Sequence, residues 1–195
     1  MPENQPELQV APQDTQEAPM KTVSSHEIKS QRFSIVEDQI LVHGQIRPYS
    51  YVKIKQGVCI LPFYQGKIAL SREYRYPISS YQWQLPGGII DPGETPLVAG
   101  MRELREETGL IATAEDMIDL GWFYPSYGST NEQIYLFAAH VREQVNPEQE
   151  VSEVMDLYFK SEDEIRQMIA HNEFCHAAGL AALLKYLTKR QLGEL

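Results

Sequence analysis

Three glutamates in a short charged stretch carry the strongest chemical signal in the sequence. The segment RELREETGL, residues 102–110, places Glu103, Glu106 and Glu107 at positions i, i+3 and i+4. In an α-helix these positions share one face, where like charges repel. Carboxylate oxygens are the ligands that Mg²⁺ and Mn²⁺ prefer, so the cluster predicts a divalent metal site whose ion offsets the repulsion. Arg102 lies four residues before Glu106 and is placed to pair with it and fix its rotamer.

The residues around this stretch predict a loop, a helix and a second loop. Thr95 is a good N-cap, Pro96 suits the first helical position, and Gly109 is placed to end the helix. Gly87 and Gly88 allow the backbone to approach closely, so a main-chain carbonyl can join the metal ligands.

The rest of the chain predicts strands and two further helices. From about residue 31, β-branched and aromatic segments alternate with turn residues, and we expect turns at Glu37-Asp38 and at Gln65-Gly66. A capping box at Ser161–Glu164 opens one helix, and residues 175–190 form a final one. The predicted fold class is α/β (α+β), with a mixed sheet flanked by helices.

Composition excludes several classes of protein. The 195 residues carry a net charge of −10, which argues against a nucleic-acid binder and against docking on anionic lipid. The two cysteines are far apart and form no C-x-x-C motif, which favours reduced thiols. No secretory signal or membrane-spanning stretch is visible. We therefore expect a cytoplasmic protein with no nucleic-acid or membrane partner.

The acidic stretch is part of a longer motif. Residues 87–110, GGIIDPGETPLVAGMRELREETGL, match the Nudix box G-x5-E-x7-R-E-U-x-E-E-x-G-U, with U aliphatic, at every specified position. The sequence therefore resembles the Nudix hydrolase family. The resemblance implies the Nudix fold and hydrolysis of a nucleoside diphosphate derivative with Mg²⁺ or Mn²⁺. It implies the following metal ligands: the Gly87 carbonyl, Glu103, Glu106 and Glu107.

The resemblance also gives roles to single residues. Glu106 and Glu107 are implied to be catalytic, while Glu94 is expected to order the loop, since it lies before the helix. Glu153 best matches the general base, or an extra metal ligand, of ADP-ribose pyrophosphatases, with Glu150 as the rival residue. The alternative for this stretch is a solvated acidic loop.

The substrate side of the site is also predicted by resemblance. The segment SREYRYP resembles the R-Q-Y-R segment of ADP-ribose pyrophosphatases, which implies that Arg72 and Arg75 face the diphosphate or terminal ribose. The alternative for both arginines is salt-bridging on the surface of a strand. Glu132 matches the acidic residue that follows the loop around residues 125–128 in these relatives. Many relatives read S-P-G in that loop, whereas Ser126-Tyr127-Gly128 stands here after Pro125, which leaves the sugar and the base open.

Three regions are predicted along the chain. Residues 1–25, rich in Pro, Gln and Glu, are expected to be a disordered tail. Residues 26–55 form a small antiparallel strand extension and residues 56–195 the Nudix hydrolase domain. In ADP-ribose pyrophosphatases and nucleotide-sugar hydrolases, such an extension builds a dimer and part of the substrate pocket, so the resemblance implies a homodimer.

The activity expected on this basis is Mg²⁺-dependent hydrolysis of ADP-ribose or a related nucleoside diphosphosugar to AMP, or another nucleoside monophosphate, and a sugar phosphate. The alternatives are a Nudix pyrophosphatase for coenzyme A, dinucleoside polyphosphates or GDP-mannose, and a non-catalytic ADP-ribose sensor.

Overall fold

The computed structural model of the chain describes residues 18–147 and 155–195. The described residues fall into two compact units. The first contains residues up to Ile54 together with Ser126–Glu132, and the second contains the described parts of Lys55–Pro125 and Gln133–Leu195.

The first unit is a three-stranded antiparallel sheet with a loop attached to its third strand. The strands, in the spatial order of the sheet, are β1 (Met20–Lys29), β2 (Phe33–Val42) and β3 (Gln45–Ile54). The loop is joined to β3 by backbone hydrogen bonds. Val52 N donates to the Ser129 carbonyl at 2.9 Å, and Ile54 N donates to Asn131 Oδ1 at 2.8 Å.

Two predictions for this unit are corrected. The predicted tail, residues 1–25, was too long, because β1 begins at Met20 and pairs with β2. Residues 1–17 of that tail lie outside the described residues. The predicted turn at Glu37-Asp38 was also wrong, because β2 continues through it and the chain reverses at His43-Gly44. Both turn residues have positive φ, 49° and 73°, as a two-residue hairpin of this kind requires.

The second unit is built on a six-stranded mixed sheet. Its central strands β4 and β9 are parallel, the other pairs are antiparallel, and the order is β11-β5-β4-β9-β8 with β6 beside β5. A two-stranded pair of β7 and β10 lies apart from it. The strands are β4 (Gly57–Tyr64), β5 (Lys67–Arg75), β6 (Ser80–Gln84), β7 (Leu110–Ile111), β8 (Met117–Phe123), β9 (Ile134–Val141), β10 (Glu143–Gln144) and β11 (Met155–Lys160). The predicted turn at Gln65-Gly66 is confirmed between β4 and β5.

Among the described residues, three α-helices accompany this sheet: α1 (Pro96–Thr108), α2 (Glu162–Ala170) and α3 (Ala177–Leu192). The predicted capping box is confirmed, because Ser161 Oγ accepts from Glu164 N while the Glu164 carboxylate accepts from Ser161 N. In the part of the chain that the structure describes, no helix is long and apolar enough to cross a membrane.

The helices cover both faces of the sheet. Cys59 and Leu61 of β4 belong to a buried core with Ala182 and Leu183 of α3. Ile60 points the other way, where its side chain lies beside Gly100 of α1. A central strand buried on both faces explains why its sequence is almost continuously apolar. The predicted mixed sheet between helices is confirmed.

Candidate metal and substrate site

Helix α1 begins and ends where the sequence predicts. Thr95 Oγ1 accepts from Val98 N at 3.3 Å, Pro96 is the first helical residue, and Gly109 ends the helix with φ of 70°. Leu104 is fully buried beneath the helix. Because the apolar side is fixed in this way, the acidic residues of the helix are held in a defined rotation relative to the sheet.

Glu107 is bound to the glycine loop before the helix. The residue is only 4% exposed, and its Oε2 accepts a hydrogen bond from Gly87 N at 3.0 Å. Gly87 has a φ of 155°, and a Cβ at this position would lie 2.2 Å from the Val58 carbonyl oxygen. A side chain at position 87 would therefore push the loop away from β4.

Arg102 joins the loop to the carboxylates of α1. Its Nε and Nη2 donate to the two oxygens of Glu94, each at 2.9 Å. Its Nη1 donates to Glu103 Oε1 at 2.8 Å and to Glu106 Oε2 at 3.0 Å, which confirms the predicted pair. The hydrogen bonds from Arg102 lower the pKa of Glu94, and Asp91 N also donates to this carboxylate. Glu94 therefore orders the loop, as predicted.

The donor set of this site suits a hard divalent ion, although its side chains are engaged with each other. Within residues 18–147 and 155–195, no three side chains of His, Cys, Asp or Glu converge as a ready metal site. Arg102 holds Glu103 and Glu106, while the Gly87 N–H holds Glu107. Carboxylates on one helical face still offer the oxygen ligands that Mg²⁺ and Mn²⁺ require. An ion would compete with Arg102 for two of them.

The two predicted substrate arginines lie on opposite faces of β5. Leu70, two residues before Arg72, belongs to the core with α2 and α3. Arg72 is on that face, with its guanidinium carbon 5.7 Å from the centre of the Trp83 ring. Arg75 is an odd number of residues away and points to the α1 side, because alternate residues of a strand face opposite ways. Arg72 and Arg75 of one chain therefore lie on different faces of β5, and their contact with the substrate stays a prediction.

The remaining predicted residues lie elsewhere. Glu132 belongs to the first unit, where its backbone N donates to Thr130 Oγ1 at 3.3 Å, and burial raises the pKa of its carboxyl. Glu153 and its alternative Glu150 lie outside the described residues, so the predicted general base stays a prediction.

The structure brings two further polar residues to this region that the sequence reasoning missed. Gln84 is buried at the end of β6 and contacts Arg75. His176 Nδ1 accepts from Leu85 N at 3.2 Å, which ties the residue before α3 to the backbone leading to Gly87. The histidines show no metal-ligand spacing, so His176 gave no signal. Gln84 was detectable only as a polar residue ending a strand directly before the glycine loop.

Comparisons with known proteins point to one family. The NUDIX domain profile matches residues 53–180. The ADP-ribose pyrophosphatase of Bacillus subtilis (strain 168) is 30% identical over 136 residues, which cover 68% of this chain and 72% of that protein. The methanol dehydrogenase activator of Bacillus methanolicus is 33% identical over 122 residues, covering 61% of this chain and 65% of that protein. The crystal structure of an ADP compounds hydrolase superposes with a TM-score of 0.79 at 20% identity, covering 93% of this chain and all of that one, and shows the fold.

The chain belongs to the Nudix family. It is a Nudix hydrolase related to the ADP-ribose pyrophosphatases, and its substrate is a small-molecule nucleotide. Nudix hydrolases generally need a divalent metal ion.

Proposed function

We propose that this protein hydrolyses the diphosphate bond of ADP-ribose or a closely related nucleoside diphosphosugar in a Mg²⁺-dependent reaction. The products are AMP, or another nucleoside monophosphate, and a sugar phosphate. The observation that carries the proposal is the acidic face of α1 joined to the glycine loop through Glu107 and Gly87. The similarity to the Bacillus subtilis ADP-ribose pyrophosphatase supports the choice of substrate.

The metal would be held by Glu103, Glu106 and Glu107 with the Gly87 carbonyl. The carbonyls of Pro86 and Gly88 accept hydrogen bonds from β4, each at 2.9 Å. The N–H and C=O of one residue in extended backbone point to the same side, so we infer that the Gly87 carbonyl faces Glu107 as its N–H does. When bound, the metal neutralises phosphate charge, orients the diphosphate and lowers the pKa of the attacking water.

The side chains of the protein have separate tasks in this proposal. Arg102 offsets part of the charge of Glu103 and Glu106 and orients their carboxylates, which would hold the metal. Arg75, on the α1 side of the sheet, donates to oxygens of the diphosphate, which a guanidinium fork matches in geometry. Glu153 removes a proton from the attacking water, and a mobile carboxylate suffices because it needs to reach the water only in the closed state. Glu132 contacts the substrate.

We also propose that the protein is a homodimer through the sheet of the first unit. Several large apolar side chains are exposed on one face of it, where Ile35 is opposite Ile28 and Leu41 is opposite Ile46. An apolar surface of this kind is typical of an interface. Light scattering after size-exclusion chromatography should give a dimer mass, and Ile35→Asp should give a monomer. A monomeric wild type would contradict the proposal.

A cytoplasmic location belongs to the same proposal. Cys59 is buried and Cys175 is exposed, and both are free thiols. Burial and the nearby charge of Glu107 raise the pKa of the Cys59 thiol, which keeps it protonated and unreactive. Free thiols are usual where glutathione and thioredoxin keep cysteines reduced. Fractionation of the native cells with an antibody would test the location.

The experiment for the activity is hydrolysis across a panel of nucleotides. Release of AMP or another monophosphate would be coupled to a phosphatase and measured with Mg²⁺, with Mn²⁺ and with EDTA. The panel contains ADP-ribose, ADP-glucose, GDP-mannose, UDP-glucose, coenzyme A and dinucleoside polyphosphates. The proposal expects metal-dependent turnover that is fastest with ADP-ribose or another diphosphosugar. A preference for coenzyme A or dinucleoside polyphosphates, or silence on the whole panel, would overturn it; silence with tight ADP-ribose binding would indicate a sensor.

A further inference from the structure

A buried glutamine links Arg75 to Glu73 on the α1 side of the sheet. Gln84 is 3% exposed, and its Oε1 accepts from Arg75 Nε at 3.0 Å and from Arg75 Nη2. Its Nε2 donates to Glu73 Oε2 at 2.6 Å. Arg75 Nη2 lies 2.9 Å from the same carboxylate oxygen. The three side chains therefore form a closed ring of hydrogen bonds.

The pairing of β5 with β6 brings these residues together. Gln84 is opposite Ser71, and Gln82 is opposite Glu73, so Glu73, Arg75 and Gln84 share one face. Beyond Gln84 the chain leads directly to Gly87, the proposed metal ligand. On the other edge of β5, Glu73 is opposite Met155, the first residue of β11. The ring therefore lies beside the segment that leads to the proposed metal ligand.

The ring holds Arg75 by one edge. The side chain of Arg75 is 44% exposed, whereas that of Glu73 is 15% exposed. Among the described residues, the hydrogen bonds of Arg75 use Nε and Nη2, which are on the same edge of the guanidinium. The Nη1 end of the guanidinium can therefore donate a hydrogen bond to a ligand. An arginine fixed in this way loses less conformational freedom when it binds a phosphate oxygen.

We propose that Gln84 and Glu73 are positioning residues that hold the Arg75 guanidinium for the diphosphate of the substrate. The proposal rests on the proposed function and adds two residues to it. Gln84 acts through Arg75 and does not touch the substrate. Its burial explains why a neutral amide is used: an amide accepts from Arg75 and donates to Glu73 at once, without bringing a second buried carboxylate against the first.

The first test is steady-state hydrolysis of ADP-ribose by Gln84→Leu and Arg75→Ala. Hydrogen bonds to charged groups are strong, so each variant should raise KM about ten-fold or more with kcat little changed, as loss of uniform binding predicts. The double variant should be no worse than Arg75→Ala, because both changes remove the same interaction. Ser71→Ala is the matched control. Ser71 is buried opposite Gln84, and its Oγ has no hydrogen-bond partner among the described residues.

The second test exchanges the amide and the carboxylate. Gln84→Glu alone sets two carboxylates against each other and should raise KM. Adding Glu73→Gln restores one donor and one acceptor in reversed order, and the combined variant should return KM to within about three-fold of wild type. This exchange also tests the proposal if Gln84→Leu fails to fold, because the exchanged side chains keep the size and the net charge of the ring.

The outcomes separate this proposal from the proposed function. A wild-type protein that does not hydrolyse ADP-ribose or another diphosphosugar would refute the function. An active wild type with an unchanged KM in Gln84→Leu, or no recovery in the exchanged variant, would overturn the positioning role alone. A fall in kcat at unchanged KM would overturn it as well.

Discussion

The Glu107 carboxylate accepts a hydrogen bond from the Gly87 backbone N–H at 3.0 Å, so one contact joins helix α1 to the glycine loop. Twenty residues of sequence separate the two groups. The loop fits against β4 only because position 87 lacks a side chain, and the contact places a buried carboxylate beside the backbone that we propose as a metal ligand.

Replacing Gly87 by alanine should disrupt both the fold and the site. Its Cβ would meet the Val58 carbonyl at 2.2 Å, so the loop must shift. We expect Gly87→Ala to lose about 1–3 kcal/mol in the free energy of unfolding and most of the activity. Urea unfolding and hydrolysis of ADP-ribose would be measured on the same preparation.

Gly128→Ala is the stability control, because nothing lies within 4 Å of the added Cβ, and it should change stability by less than about 0.5 kcal/mol. Equal stability of the two variants would contradict the close approach.

Arg102 should stabilise the fold more than an ordinary surface arginine. It contacts Glu94, Glu103 and Glu106, and its side chain is 27% exposed. We expect Arg102→Met to lower the free energy of unfolding by about 1–3 kcal/mol, and Arg102→Lys to recover little, because an ammonium cannot reproduce the planar fork. Arg166→Met is the comparison, because Arg166 pairs with Glu162 on an exposed helix face. This substitution should lower the free energy of unfolding by at most about 1 kcal/mol. Urea titrations at pH 7 would measure all three. Similar losses for Arg102→Met and Arg166→Met would show that the network adds nothing.

His176 should make stability depend on pH. Burial, and then the charge of Arg75, lower its pKa from 6.5 to about 4. The unfolded chain therefore takes up a proton near pH 6.5, whereas the folded chain takes it up only near pH 4. Stability is lost as the pH falls through this window, by about 3 kcal/mol in total, since one pKa unit corresponds to about 1.4 kcal/mol.

The variant His176→Asn isolates this effect. Asparagine offers an acceptor for Leu85 N and does not titrate, so the stability of wild type relative to the variant should fall between pH 7.5 and pH 4. His171→Asn, at an exposed histidine, should follow the wild type. Urea unfolding at several pH values would measure the difference. Parallel curves for wild type and His176→Asn would rule out a neutral buried histidine.

Local rules predicted much of helix α1. The ends of α1 depend on Thr95, Pro96 and Gly109, whose effects act within one turn, and the pair of Arg102 with Glu106 depends only on helical spacing. The sequence therefore placed the acidic face before any tertiary contact was known. It also contained the motif that marks the family, which the comparisons confirm.

Features set by strand pairing were harder to predict. Strand β1 carries little apolar alternation because all of its residues are exposed, so its first residues, 20–25, fell within the predicted tail. The reversal at His43-Gly44 depends on two positive φ values. The acidic pair Glu37-Asp38 in the middle of β2 resembled a turn more closely, so the turn was predicted there. Likewise, the contact of Gln84 with Arg75 exists only in the register of β5 with β6, and the division of Arg72 from Arg75 follows from the alternation of one strand.

Mg²⁺-dependent hydrolysis of ADP-ribose by Glu107→Gln tests the proposed metal site on α1 most directly. An amide of nearly the same shape can still accept from Gly87 N, so the fold should persist, as circular dichroism and urea unfolding would verify. The lost charge should weaken metal binding and lower kcat/KM by at least about 100-fold, the scale of one strong electrostatic contribution to a transition state. A correctly folded Glu107→Gln variant with wild-type activity and an unchanged dependence on Mg²⁺ would contradict the metal site on α1.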